Sequence, residues 1–213
     1  MKFENTEVWG FKHALRGMRN PLESWAKSDS SFDEDTDIGE NDLGLAHRLI
    51  AGGTEHRKFM RQIFVSVDIT APIYWWKEFD TYKVGTVANS TSTMHKLASQ
   101  PITKECFETD DLDKEIFDEY EIETIINICE KLRVKYLENK EKKYWKELVR
   151  WLPEGWNQTR TVTLNYENLR TIYFQRKAHK LNEWSGNDNA ELTNFIAWVK
   201  SLPYAEVLIT YEN

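Results

Sequence analysis

The sequence predicts an α+β fold, and three observations carry that expectation. Val65, Val67 and Ile69 alternate with Ser66 and Asp68, the two-residue period of a half-buried strand. Residues 113–152 are rich in Glu and Lys, and Ile116, Phe117, Tyr120, Ile125, Cys129, Leu132 and Tyr136 fall near helical spacing. This predicts one long amphipathic helix or a broken pair. Thr161, Val162, Thr163 and Leu164 alternate again, and a further helix is expected from about Glu167 to Lys180.

In chain order, residues 28–41 are acidic and nearly free of apolar groups, so they read as an exposed loop. Asp42 is placed to cap a helix carrying Leu43, Leu45, Ala46, Leu49 and Ile50, and Gly52-Gly53 to end it. Pro72 is placed to open a helix running through Phe79. Pro153 and Gly155 punctuate the Glu/Lys-rich stretch. A last helix carries Leu192, Phe195, Ile196 and Val199 at i, i+3, i+4 and i+7, and stops near Pro203.

At 213 residues the chain suits a single domain, residues 1–213, with the acidic loop exposed on it. A formal charge of −7 argues against a general binder of nucleic acid or of anionic membranes. Cys106 and Cys129 lie far apart without CxxC spacing, so neither a disulfide framework nor a zinc site is expected, and a reducing cytoplasm fits best. The polar start of the sequence and the lack of an apolar run of about 20 residues point to a soluble protein. Nine tryptophans supply large rigid groups for a core, an oligomer interface or a planar ligand.

His13, His47, His56, His95 and His179 form no HxH or HExxH pattern, so no metal is expected. No serine sits in a GxSxG elbow, and neither a GxGxxG nor a P-loop run occurs. Arg16 to Pro21 and His56-Arg57-Lys58 are short basic groups in an acidic chain, a contrast that suits either a phosphate-bearing ligand or surface charge pairing. Lys77, Lys83 and Lys96 add to the same choice. Arg176 is the most informative single residue, because Leu169, Ile172, Tyr173 and Arg176 share one helical stripe. A guanidinium on an apolar stripe requires a fixed acceptor, or it snorkels at the helix end.

Two separated blocks resemble flavin-dependent thymidylate synthases. From His56 to Leu97 the order of strand, Ala71-Pro72-Ile73, aromatic-rich helix and polar Ser/Thr segment is similar to that family's flavin-binding region. From Leu152 to Arg176, Leu152-Pro153, then Asn165, Leu169 and Arg176 are similar to the family's Leu-Pro, Asn-x-x-x-Leu and Arg pattern in order and spacing. Leu15 to Arg19 is similar to an early Arg-containing segment. The resemblance implies a thymidylate synthase-complementing-protein-like fold, a mixed sheet packed with long helices, assembled as a homotetramer with FAD between subunits. It also implies hydride from NADPH and methylene transfer from methylenetetrahydrofolate to dUMP. It would place Arg176 on the uracil ring, with Asn165, Thr86 and Thr91 on the nucleotide, and His56, Lys83 and Asn89 on the cofactor.

The departures are as specific as the matches. Where the family reads Arg-His-Arg-x-x-Ser-x-Asn-Glu-x-Ser-x-Arg-Tyr, this chain reads Thr81 to Met94, and only Lys83, Thr86 and Thr91 keep its chemistry. Thr81, Tyr82, Asn89 and Thr93 stand for Arg, His, Glu and Arg. Val149 stands where the family places an arginine before Leu-Pro, with Arg150 displaced by one position. The reading that follows is a divergent homologue that binds a nucleotide or flavin with altered or lost dUMP methylation. The alternatives are a non-catalytic interaction protein that keeps only the fold, and an active synthase with substituted contacts. No catalytic residue is assigned.

Overall fold

The computed structural model describes residues 1–33, 36–110, 112–186 and 194–212. Four strands, β1 (Lys2–Trp9), β2 (Phe64–Pro72), β3 (Val87–Ser90) and β4 (Asn157–Asn165), form one sheet in the order β1-β2-β4-β3. Ser66 faces Thr163, Asp68 faces Thr161 and Thr70 faces Thr159, each pair within hydrogen-bond reach. The numbering rises on β2 as it falls on β4, so this central pair is antiparallel. Both expected strands are present and longer than their alternating cores. β1 escaped the sequence reading because it is an edge strand with mostly exposed side chains and no buried period.

Two compact units can be distinguished: Met1 with Thr70–Thr81 and Asn89–Arg160, and Lys2–Ile69 with Tyr82–Ala88 and Thr161–Asn213. In the first, Pro72 caps α3 (Ile73–Phe79), as expected, and the first-turn N–H groups of Ile73 and Tyr74 donate to the carbonyls of Trp156 and Glu154. Trp75, Trp76 and Phe79 are buried in one ring cluster with centroids 4.8 to 5.4 Å apart. After α4 (Thr93–Lys96), the Glu/Lys-rich stretch folds as the expected broken pair, α5 (Glu119–Asn139) and α6 (Lys142–Trp151). Helix α5 starts later than the periodicity suggested. The Asp118 carboxylate accepts from the N–H groups of Tyr120 and Glu121, and this cap leaves Ile116 and Phe117 outside the helix. Leu97, Ile102, Phe107, Cys129 and Leu148 form the core between these helices. Arg133 is buried there, held bidentately by Glu130 and by the Ala98 carbonyl.

In the second unit, α1 (Phe11–Arg19) buries Phe11, Ala14, Leu15 and Met18 at helical spacing. Helix α2 (Glu40–Ala51) corrects one expectation, because its cap residue is Gly39 and Asp42 lies inside the first turn, fully buried. The capping acceptor comes from further back, where the Asp29 carboxylate takes the N–H groups of Asn41 and Asp42 at 2.9 and 3.2 Å. A Cβ on Gly39 would lie 2.2 Å from the Asp29 side chain, so only glycine allows this approach. The described residues of the acidic loop are mostly exposed, but Ile38 is anchored in the core, and Ser31 pairs with Asp37.

Helix α7 (Tyr166–Arg176) buries Tyr166, Leu169, Ile172 and Tyr173, and stops short of the expected Lys180. It is followed by α8 (Asn182–Ser185), α9 (Phe195–Ser201) and α10 (Ala205–Leu208). Phe195, Ile196 and Val199 are buried as their spacing predicted, while Leu192 lies outside the described residues. Of the tryptophans, Trp75, Trp76, Trp184 and Trp198 are core groups. Among the described residues no helix is long and apolar enough to cross a membrane.

Candidate functional site

Helix α7 begins on a capping box. The Asn165 side chain accepts from the Asn168 N–H at 3.0 Å, and the Asn168 side chain accepts from the Asn165 N–H. Asn165 is therefore fixed by the backbone it caps, with little of it exposed. The Nδ2 of Asn168 donates to the Val84 carbonyl at 2.8 Å, which docks the segment following α3 on this end of the helix. Gly85 takes a left-handed φ of +75°, and a Cβ there would lie 2.9 Å from Asn168 Oδ1. Both facts demand glycine. Thr86 follows with its hydroxyl buried and, among the described residues, without a hydrogen-bond partner. Lys83 projects into solvent.

At the other end of α7, the Tyr82 hydroxyl donates to Gln175 Oε1 at 3.0 Å and accepts from Arg176 Nε at 2.8 Å. The Arg176 guanidinium lies 4.9 Å from the Trp184 ring and 5.6 Å from the Tyr82 ring. Trp184 is itself fully buried, edge-on to Phe195. Residues 82–85 thus run along α7 from its carboxyl end to its amino end. Seven helical residues rise about 10 Å, the reach of three extended ones. Arg176 is half-buried at the end of the apolar stripe, with the Tyr82 hydroxyl and the Trp184 ring beside it. This satisfies the requirement for a fixed acceptor.

His56 stands elsewhere in the same unit, on the rim of a hollow of about 580 Å³. Met18, Leu45, Leu49 and Phe59 make its apolar walls, and His56, Lys58 and Glu55 its polar rim. The basic group from Arg16 to Pro21 divides around this hollow. Gly17, Met18, Asn20 and Pro21 line it, Arg16 is exposed, and Arg19 turns into the core at 4% exposure. There Arg19 Nε donates to Asp42, whose other oxygen accepts from the hydroxyls of Ser28 and Ser30, each at 2.6 Å. Burial works to raise the Asp42 pKa. The two serines and Arg19 outweigh it and hold the carboxyl below its ordinary value.

Asn89 and Thr91 belong to the other unit. Asn89 lies exposed on β3, and the Thr91 backbone is bonded to β4 through the Thr159 carbonyl and the Gln158 side chain. The structure therefore brings Asn165, Thr86 and Lys83 to one loop and helix end, Arg176 to the opposite end, and His56 to a separate hollow.

The sequence reading missed Tyr82 as a contact of Arg176. It also missed a groove of about 500 Å³ on another face of α7, lined by Arg57, Arg170, Phe174 and Lys177. Arg57 pairs with Glu167, and Arg170 donates to the carbonyls of Ile209 and Tyr211. Burial, then the charge of Arg57, pulls the Arg170 pKa down. The spacing of Arg170, Phe174 and Lys177 at i, i+4 and i+7 was the available signal.

No family model matches the sequence, and no curated protein matches it. Solved structures do. A flavin-dependent thymidylate synthase ThyX from Helicobacter pylori, complexed with FAD and dUMP, aligns with a TM-score of 0.73 and 16% identity over 98% of each chain. A second structure of Thymidylate Synthase X from the same organism, also with FAD and dUMP, gives 0.72 and 17% identity, covering 98% of this chain and 97% of that one. At this identity the likeness speaks for the fold, and over almost its whole length the chain has the fold of the flavin-dependent thymidylate synthases.

Proposed function

We propose that this protein is a divergent homologue of the FAD-dependent thymidylate synthases that binds a nucleotide or flavin, with dUMP methylation altered or lost. The observation that carries the reading is Arg176. It combines a fixed position at the end of α7, a hydrogen bond to the Tyr82 hydroxyl, and the Trp184 ring 4.9 Å from its guanidinium. Such a group suits the carbonyl edge of a pyrimidine such as that of dUMP, with which a structural neighbour is complexed. Asn165, Thr86 and Thr91 are the further nucleotide candidates, and His56, Lys83 and Asn89 the cofactor candidates. We place the protein in the cytoplasm as a homotetramer.

The hollow beside His56 fits a flavin ring in size and in its apolar walls, with His56 and Lys58 for a polar or anionic edge. A bound flavin would supply redox chemistry there, while these residues hold and shield it. The methylation machinery is a different matter. Removing one charged or hydrogen-bonding group around a reacting centre commonly costs about 10²–10³ in rate, and Thr81, Tyr82, Asn89 and Thr93 replace four. Asn89 is exposed and Tyr82 is engaged with Arg176.

A second reading, an interaction protein that keeps only the fold, is favoured by one specific observation. Asn165 is used as a helix cap and Arg176 holds a side chain of its own chain. Visible absorption of the purified protein, dUMP binding by calorimetry, and dTMP formation with FAD, NADPH, methylenetetrahydrofolate and dUMP separate the readings. The expected result is dUMP or flavin binding without appreciable dTMP. Absence of both ligands would favour the interaction protein, and robust dTMP formation with rescue of a thymidine-requiring strain would show an active synthase.

A further inference from the structure

The groove of about 500 Å³ beside α7 brings three cations together, Arg57, Arg170 and Lys177. Arg170, Phe174 and Lys177 fall at i, i+4 and i+7, so their side chains share one stripe along α7 and its cap. Arg57 enters from the start of a short 3-10 helix, Arg57–Gln62. Each is fixed in place. Arg57 Nε donates to Glu167 at 2.8 Å. Arg170 Nη1 donates to the carbonyls of Ile209 and Tyr211, both at 2.8 Å, and its guanidinium lies 4.6 Å from the Phe174 ring. Lys177 Nζ lies 4.8 Å from the same ring and pairs with Glu212.

The three cations meet two carboxylates, Glu167 and Glu212, which leaves one positive charge in excess among the described residues. Arg170 carries the cost of this crowding. Burial, then the nearby charge of Arg57, pulls its pKa down, and the two glutamates offset only part of that. The glutamates also differ in how firmly they are placed. Glu167 is buried beside Arg57, whereas Glu212 is exposed and reaches Lys177 through a weakly held pair of long side chains.

We infer that this groove is a phosphate site, in which a phosphate or phosphomonoester displaces Glu212 and is held by Lys177, Arg170 and Arg57. With Glu212 turned out, two positive charges are uncompensated, which matches a phosphate group carrying about −1.5 to −2 at neutral pH. A carboxylate ligand brings a single charge and gains nothing over Glu212 itself. Guanidiniums anchored through one nitrogen keep further N–H groups in a fixed plane, the geometry that suits phosphate oxygens. The Phe174 ring is engaged by Arg170 and Lys177, so charge rather than ring stacking is the basis of recognition. The site uses none of the contacts of Arg176 and does not depend on the nucleotide reading.

The test uses the full chain at constant ionic strength, with inorganic phosphate and ribose 5-phosphate as probes and chloride as the reference anion. The Nε–H resonances of Arg57 and Arg170 report on the groove itself, and calorimetry gives the affinity. Both resonances are expected to shift with phosphate and to saturate together. Lys177→Ala should weaken phosphate binding about tenfold, the worth of a hydrogen bond from a charged donor, and Lys177→Arg should retain it. Glu212→Gln should tighten it about threefold, because the exposed carboxylate no longer competes. Lys177 and Glu212 are both exposed, so these variants keep the fold, which circular dichroism checks. Tighter binding of ribose 5-phosphate than of phosphate assigns the site to an organic phosphomonoester, and equal binding assigns it to free phosphate; either supports the inference. Resonances that move no more with phosphate than with chloride, an affinity unchanged in Lys177→Ala, or equal or weaker binding by Glu212→Gln overturns it. Binding of dUMP that persists in those cases leaves the reading of Arg176 intact.

Discussion

Arg19 and Arg176 both lie at the carboxyl ends of amphipathic helices, and both looked like ligand groups in an acidic chain, yet their surroundings differ in kind. Arg19 is almost fully buried and bonded to a buried carboxylate that two serines also hold. Arg176 is half-buried, bonded to the Tyr82 hydroxyl with the Trp184 ring beside it. A guanidinium buried this deeply requires a counter-charge, and Asp42 supplies it from the first turn of α2. The difference separates an arginine built into the core from one held at its edge.

The largest effect should come from breaking the buried pair. Asp42→Ala leaves Arg19 uncompensated and also frees Ser28 and Ser30, so urea unfolding should show a loss of about 3–5 kcal/mol. Arg176→Ala should change stability by less than Asp42→Ala, about 1 kcal/mol or below, since it removes a partly exposed group. Equal losses in the two variants would erase the distinction between them.

Acid should report on the same pair. The folded pKa of Asp42 is depressed below its unfolded value of about 3.9, so its contribution is present above that value. As pH falls through the lower folded pKa, the contribution disappears. Unfolding free energies of the wild type should therefore decline below about pH 4, and Asp42→Asn should flatten that part of the profile.

The smallest effect concerns Asn165, which the resemblance placed on a nucleotide and the structure uses as a cap. Asn165→Ala should cost about 1 kcal/mol of stability. Titration of the variant with dUMP then sharpens the assignment: a loss of affinity beyond that of Asn168→Ala, which removes the other half of the capping box, would give Asn165 a ligand role of its own.

The alternation of Val65, Val67 and Ile69, the placement of Pro72 and the stripe of Leu169, Ile172 and Tyr173 were enough to locate β2, α3 and α7. Each depends on contacts between near neighbours in sequence, where strand and helix periods act directly on side-chain direction. β1 was invisible because an edge strand with exposed side chains carries no such period. Asp42 was misplaced because a helix start reads the same whether its acceptor is the cap residue or a carboxylate twelve positions earlier, as Asp29 is for Asn41.

The sequence by itself determined that Arg176 continues an apolar stripe and must meet a fixed acceptor or snorkel at the helix end, since helical geometry and the cost of burying a guanidinium are local matters. It also determined that the charged groups of the family signature are replaced between Thr81 and Thr93. Only the tertiary structure decided that the acceptor is Tyr82, that Arg19 belongs to Asp42, and that His56 opens on a hollow of its own. Those pairings join residues 23 and 94 positions apart, and the sequence carries no period that spans such a distance. They arise when helices and loops meet, and each charge or hydroxyl takes the partner that burial leaves within its reach.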